Sequence, residues 1–191
     1  MFATEDTDGV VGPIAVLPTA AATRRPELRG PRPSPQSPRR ALPTAPAARV
    51  MTDFTRDMPF TVPADRLIDD ALRDMMVAGV RALIVVRAYS VVGLITSYDI
   101  QGERPLQFLA ASGFSRHDEI AVGHIMTPWI EVPKLDMTWV AGVQVAAVDR
   151  YFQRTSVSHI AVMQRGDGGE EVIRGLFSRT RIDRQLARTS L

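Results

Sequence analysis

Apolar positions along this chain follow the same order twice. Leu67, Ile68, Ala71, Leu72, Met75 and Met76 fall at the spacing that lays one apolar stripe along a helix. Asp65 stands where it would cap that helix, Asp69 and Asp70 fall at the positive end of its dipole, and Gly79 can close it. Two β-branched runs follow, Ala82 to Val86 and Val91 to Thr96, and the short turn Arg87-Ala88-Tyr89-Ser90 between them predicts a hairpin. The second round is longer. A helix is expected over about 137–153, and because only Gln144 is polar between Trp139 and Val148 it should be buried on more than one side. Ile160 to Met163 and Val172 to Phe177 then form a second hairpin around the Gly-rich loop at 165–171.

Short motifs mark the same repeat. Val50-Met51-Thr52-Asp53 matches Ile125-Met126-Thr127-Pro128, and Val62-Pro63-Ala64-Asp65 pairs with Val132-Pro133-Lys134-Leu135-Asp136. Gly93-Leu94-Ile95-Thr96-Ser97-Tyr98-Asp99, a strand end turning into a helix, returns as Gly175-Leu176-Phe177-Ser178-Arg179-Thr180-Arg181. Each unit reads strand, helix, strand, strand, short helix, which makes the chain α/β (α+β). The repeats are expected over 49–104 and 123–187. Between them, 105–122 should hold a short helix, Leu106 to Ala110, and a polar loop, and a last helix is expected over Ile182 to Ala187.

Composition changes the picture mainly before residue 49. Nine of the fourteen prolines and seven arginines lie in the first 50 residues, where each proline fixes φ and removes a backbone donor. Residues 1–48 are therefore expected to be a flexible, largely disordered arm. Over residues 1–50 seven arginines against four acids give +3, which leaves the remainder of a +2 chain near neutral at −1. With no cysteine, thiol nucleophiles, disulfides and thiolate metal sites are excluded, and a reducing, cytoplasmic setting is the default. His117, His124 and His159 are not at a metal-ligand spacing, and no run reaches the roughly 20 apolar residues of a membrane span. No Gly-x-Ser-x-Gly, P-loop or H-E-x-x-H occurs, so the expected protein is not an enzyme and has no catalytic residues.

The motifs, in this order and occurring twice, resemble the cystathionine-β-synthase (CBS) domain in its tandem form, the Bateman module. The resemblance covers about residues 48 to 187 and includes Gly79 to Val86 besides the entry and corner motifs. It implies two pseudo-symmetric β-α-β-β-α repeats packed sheet to sheet, with two clefts that bind adenosine compounds such as AMP, ADP, ATP, S-adenosylmethionine or NAD. It also implies a homodimer paired through the repeat helices and a regulatory role toward a partner protein that the sequence does not identify. Thr61-Val62-Pro63 and Arg81-Ala82-Leu83 would then wall the adenine.

The corner supplies chemistry of its own. Asp99 can accept both hydroxyls of a ribose, while Thr96 and the free N–H groups around Ser97 can hold phosphate, with Gly93 allowing close approach. The same Thr96-x-x-Asp99 spacing is a capping box that accounts for both residues without a ligand. In the second copy Ser178 keeps the cap position but Arg181 replaces the acid, so that cleft is either empty or holds the phosphate of a ligand seated in the other cleft or a different anion; Arg174, Arg179, Arg181 and Arg184 favour an anion or form a solvated face. His159, entering a strand, would touch a ligand in that second cleft or serve a structural role. The principal site is expected at Thr96 and Asp99. The alternatives are a ligand-free dimerisation module and nucleic-acid binding through the arginine-rich arm.

Overall fold

A computed structural model describes residues 41–166 and 168–186. In the first repeat these form β1 (Thr52–Asp53), β2 (Thr61–Pro63), α1 (Ile68–Ala78), β3 (Ala82–Arg87), β4 (Ser90–Thr96) and α2 (Ser97–Gln101). Two helices link the repeats, α3 (Arg104–Ala111) and α4 (Val122–Ile125). The second repeat consists of β5 (Thr127–Pro128), β6 (Lys134–Asp136), α5 (Met137–Gly142), α6 (Val145–Gln153), β7 (His159–Arg165), β8 (Glu171–Ser178) and α7 (Arg179–Leu186). Most of the expected arm and the last expected residue, Ala187, lie outside the described residues.

The strands make two four-stranded sheets, ordered β2-β3-β4-β5 and β1-β8-β7-β6. Each repeat's entry strand thus joins the other repeat's sheet. Thr127 pairs with Leu94 and Thr52 with Leu176, both antiparallel. The crossing explains the glycine that opens each corner motif. A Cβ on Gly93 would lie 2.7 Å from the Thr127 carbonyl oxygen, and Gly175 is equally crowded by Thr52. The close approach expected at Gly93 is real, but it is made by the entering strand, not by a ligand.

β3 and β7 are apolar without alternation because both of their faces are covered. Leu83 and Val85 point to a core beneath α1, whereas Ile84 points to a central core between the sheets with Trp129, Ala161, Ile173 and Leu176. Ile160 and Val162 face a third core under α6, with Phe152 and Phe177. Sheet-to-sheet packing therefore forms the middle layer. Each fully buried Ile or Phe in these layers contributes roughly 1.5–3 kcal/mol.

The structure corrects several expectations. The helix over 137–153 is two helices, broken at Val143 and Gln144. Into the break runs a strap that the sequence assigns to the arm: Ala47 N donates to Val143 O (2.9 Å) and Val145 N donates to Ala45 O (2.9 Å). Ala47 is fully buried there. Residues 41–48 therefore belong to the folded part and not to the expected arm. The lead-in to the second repeat straps α1 in the same way, with Val122 N donating to Arg66 O (2.8 Å) and Ile68 N to Ile120 O (3.0 Å). In both repeats a carbonyl of the strap satisfies an orphan N–H at the helix start. That leaves Asp65 without the capping role expected of it, since Leu67 takes the cap position with no side-chain bond. Gly79 closes α1 in the left-handed conformation at φ 69°.

Candidate functional site

Two clefts open between the repeats, and each is assembled from both. One, of about 400 Å³, takes its corner from the first repeat, Thr96 and Asp99, and its walls from the second, Val132, Pro133, Ser158 and His159. The other, of about 490 Å³, takes Ser178 and Arg181 from the second repeat and Phe60, Arg81 and Ala82 from the first. The expected walls are thus distributed differently. Ala82 lies opposite the Arg181 corner, and Thr61, Val62 and Pro63 line neither cleft; Val62 is buried in the core beneath α1. Phe60 takes their place because its carbonyl, accepting from Ile84 N at 3.0 Å, holds it beside β3 at the cleft wall. Ser97 and Gly93 line neither cleft; Ser97 N donates to Arg81 O at 3.0 Å.

At the first corner the capping box is fully formed. Thr96 N donates to Asp99 Oδ2 at 2.8 Å, Thr96 Oγ1 donates to the same oxygen at 2.7 Å, and Asp99 N donates to Thr96 Oγ1 at 3.2 Å. The other carboxylate oxygen, Oδ1, meets Arg104 Nε at 3.2 Å. Arg104 is held in turn by Ile125 O (2.8 Å) and Thr127 Oγ1 (3.1 Å). Sequence reasoning passes over Arg104 because it lies beyond α2, at no helical spacing from Asp99. In the other cleft Arg181 makes the counterpart contact, Nη1 donating to Thr52 Oγ1 at 3.0 Å.

The remaining arginines divide. Arg174 pairs with Asp53 across β8 and β1, and Arg179 donates to the carbonyls of Phe152, Thr155 and Val157 past the end of α6, so both are committed to structure. Arg184 lines the cleft with Arg181. His159 touches both clefts, where the sequence points to one. It is 8% exposed, its Nδ1 lies 3.0 Å from Ser158 Oγ, and burial lowers its pKa to about 4 against an opposing pull from Asp99. Tyr98 and Thr180, at matching places in α2 and α7, meet between the clefts. The Thr180 side chain first, then the charges of Arg81 and Arg184, hold the phenol below its usual pKa range against an opposing desolvation. Arg81 Nη1 donates to the Tyr98 hydroxyl at 3.3 Å.

Among the described residues no cluster of three or more His, Asp or Glu side chains is placed to hold a metal ion, and no helix is long and apolar enough to cross a membrane.

Residues 48–104 match the family model described as the CBS domain. No curated protein matches the chain. Among solved structures, the fold is similar to a signal-transduction protein with CBS domains from Burkholderia ambifaria, at 21% identity and TM-score 0.50, covering 70% of this chain and 87% of that one. It is also similar to a conserved protein from Pyrococcus horikoshii, at 22% identity and TM-score 0.52, covering 78% and 97%. A CBS-domain-containing protein from Agrobacterium tumefaciens gives 17% identity and TM-score 0.51, covering 73% and 91%.

Proposed function

Given that the chain is a CBS-domain protein with the fold of a CBS pair, we propose that it is a non-enzymatic regulatory module. In this reading it binds an adenosine-containing nucleotide between its repeats and passes the change to a partner protein. One observation carries the reading: the corner of each cleft comes from one repeat and its walls from the other. A ligand seated there touches both repeats, so its binding energy biases how they sit together. AMP, ADP and ATP are the first ligands to test, with S-adenosylmethionine and NAD beside them. The module acts in the cytoplasm as a homodimer paired through its repeat helices. Met76 and Val77, 65% and 51% exposed on α1, supply apolar surface for that pairing. A single-chain mass at micromolar concentration would sink the dimer.

A second reading, a ligand-free structural or dimerisation module, is favoured by one feature: both Asp99 oxygens are already engaged within the chain. Thermal shift separates the two. A ligand at a hundred times its Kd adds about 2.7 kcal/mol, roughly 5–10 °C for a chain of this size. Asp99→Asn, which keeps an acceptor for Thr96 N, is expected to lose most of that shift for a ligand held by its ribose. If none of the five compounds moves the melting temperature, the ligand-free reading stands.

A further inference from the structure

α1 and α6 hold the same place in their repeats, and the straps fix the register between them. Leu67 bridges Ala121 as Gln144 bridges Pro46, and the N–H groups of Ile68 and Val145 each take a strap carbonyl. Counted from there, Asp69 and Asp70 match Ala146 and Ala147, buried Met75 matches buried Phe152, and Met76 and Val77 match Gln153 and Arg154.

The outward faces of the two helices differ. On α1 the first turn carries Asp69 and Asp70, and the last turn carries Met76 and Val77, both exposed. On α6 the small apolar residues come first, Ala146 and Ala147, with exposed Leu42 of the strap beside them, since Pro43 O accepts from Ala146 N at 3.0 Å. Exposed Arg150 and Arg154 come last. α1 holds three carboxylates to one arginine, whereas α6 and its cap residue hold two arginines to one carboxylate, Asp149, which accepts from Gln153 Nε2 at 2.8 Å. Acids at a helix start and arginines at a helix end suit the dipole of each helix alone. The dipole gives no reason for Met76 and Val77 to face water.

A two-fold dimer of duplicated chains can set each helix on its own copy or on its counterpart in the other repeat. Laid antiparallel on its own copy, α1 places Met76 and Val77 against Asp69 and Asp70 at both ends, and α6 places arginine against alanine. Laid antiparallel on α6 of a second copy, α1 places Met76 and Val77 against Ala146, Ala147 and Leu42, and its two acids against Arg150 and Arg154. Only the second arrangement matches apolar with apolar and charge with opposite charge. We infer that two copies pair crosswise, α1 of each lying antiparallel on α6 of the other, so that the first repeat of one protomer sits on the second repeat of its partner. The inference rests on the reading of the chain as a homodimer paired through its repeat helices, and it assigns which helices meet.

The chain has no cysteine, so introduced thiols report the pairing without background. Full-length Val77→Cys and Ala147→Cys chains, each oxidised alone, should remain single in denaturing gels, whereas a mixture of the two, allowed to exchange subunits, should give covalent dimers. Arg154→Glu should weaken dimerisation about tenfold in sedimentation equilibrium, and adding Asp69→Arg to the same chain should restore it. Raising the salt concentration should weaken the parent dimer. Covalent dimers from Val77→Cys alone would overturn the crosswise pairing and leave the homodimer standing. So would a parent dimer whose mixed thiol chains form no crosslink. A parent chain that sediments as a single copy would overturn both.

Discussion

His159 shows what one buried side chain does to the pH behaviour of the molecule. Desolvation holds its pKa near 4, below the ordinary 6.5, although Asp99 pulls it upward. Between those two values the unfolded chain binds a proton that the folded chain does not take, so stability falls as pH drops through the window and is fully present above it. The slope approaches about 1.4 kcal/mol per pH unit. Melting temperatures between pH 7 and pH 5 should therefore fall less steeply in His159→Gln than in the parent chain, and parallel curves would contradict the burial argument. At this scale the sequence is informative wherever a bond is local. Thr96 and Asp99 are three residues apart, and their capping box is legible from the spacing. Arg104 on Asp99, and His159 between two clefts, are brought together by tertiary structure, which no local pattern encodes.

At the scale of elements, the α1 stripe and both hairpins are legible because each has a single period and a clear stop. The break at Val143 and Gln144 is not, because an apolar run fits one buried helix as well as two. What decides it is competition for backbone groups: Ala45 and Ala47, remote in sequence, supply the partners that a continuous helix would have supplied itself. The strap should therefore be needed for stability. A chain beginning at residue 48 loses the three backbone hydrogen bonds that Pro43, Ala45 and Ala47 make to Val143, Val145 and Ala146, together with buried Ala47, relative to one beginning at residue 41. It should be less stable by about 2–4 kcal/mol in urea melts. Equal midpoints would show that α6 starts without it.

For the molecule as a whole, the duplicated order of motifs makes two similar units legible. It does not tell which sheet each entry strand joins, since Val50-Met51-Thr52 reads the same in either place. The exchange makes each half incomplete. Residues 41–112 alone would expose the edge of β4 and leave β1 unpaired, and residues 113–186 would leave β5 unpaired and β8 with β7 on one side only. Neither fragment should melt cooperatively by circular dichroism, whereas an equimolar mixture should. A cooperative transition in either fragment alone would contradict this. The crossing also sets an order in time. β1 precedes every other described strand in synthesis and its partner β8 is the last, with Thr52 and Leu176 separated by 124 residues. The second sheet therefore cannot be completed until β8 has been synthesised. Until then the nascent protein carries an unpaired β1, a waiting edge of the kind that chaperones and neighbouring chains find.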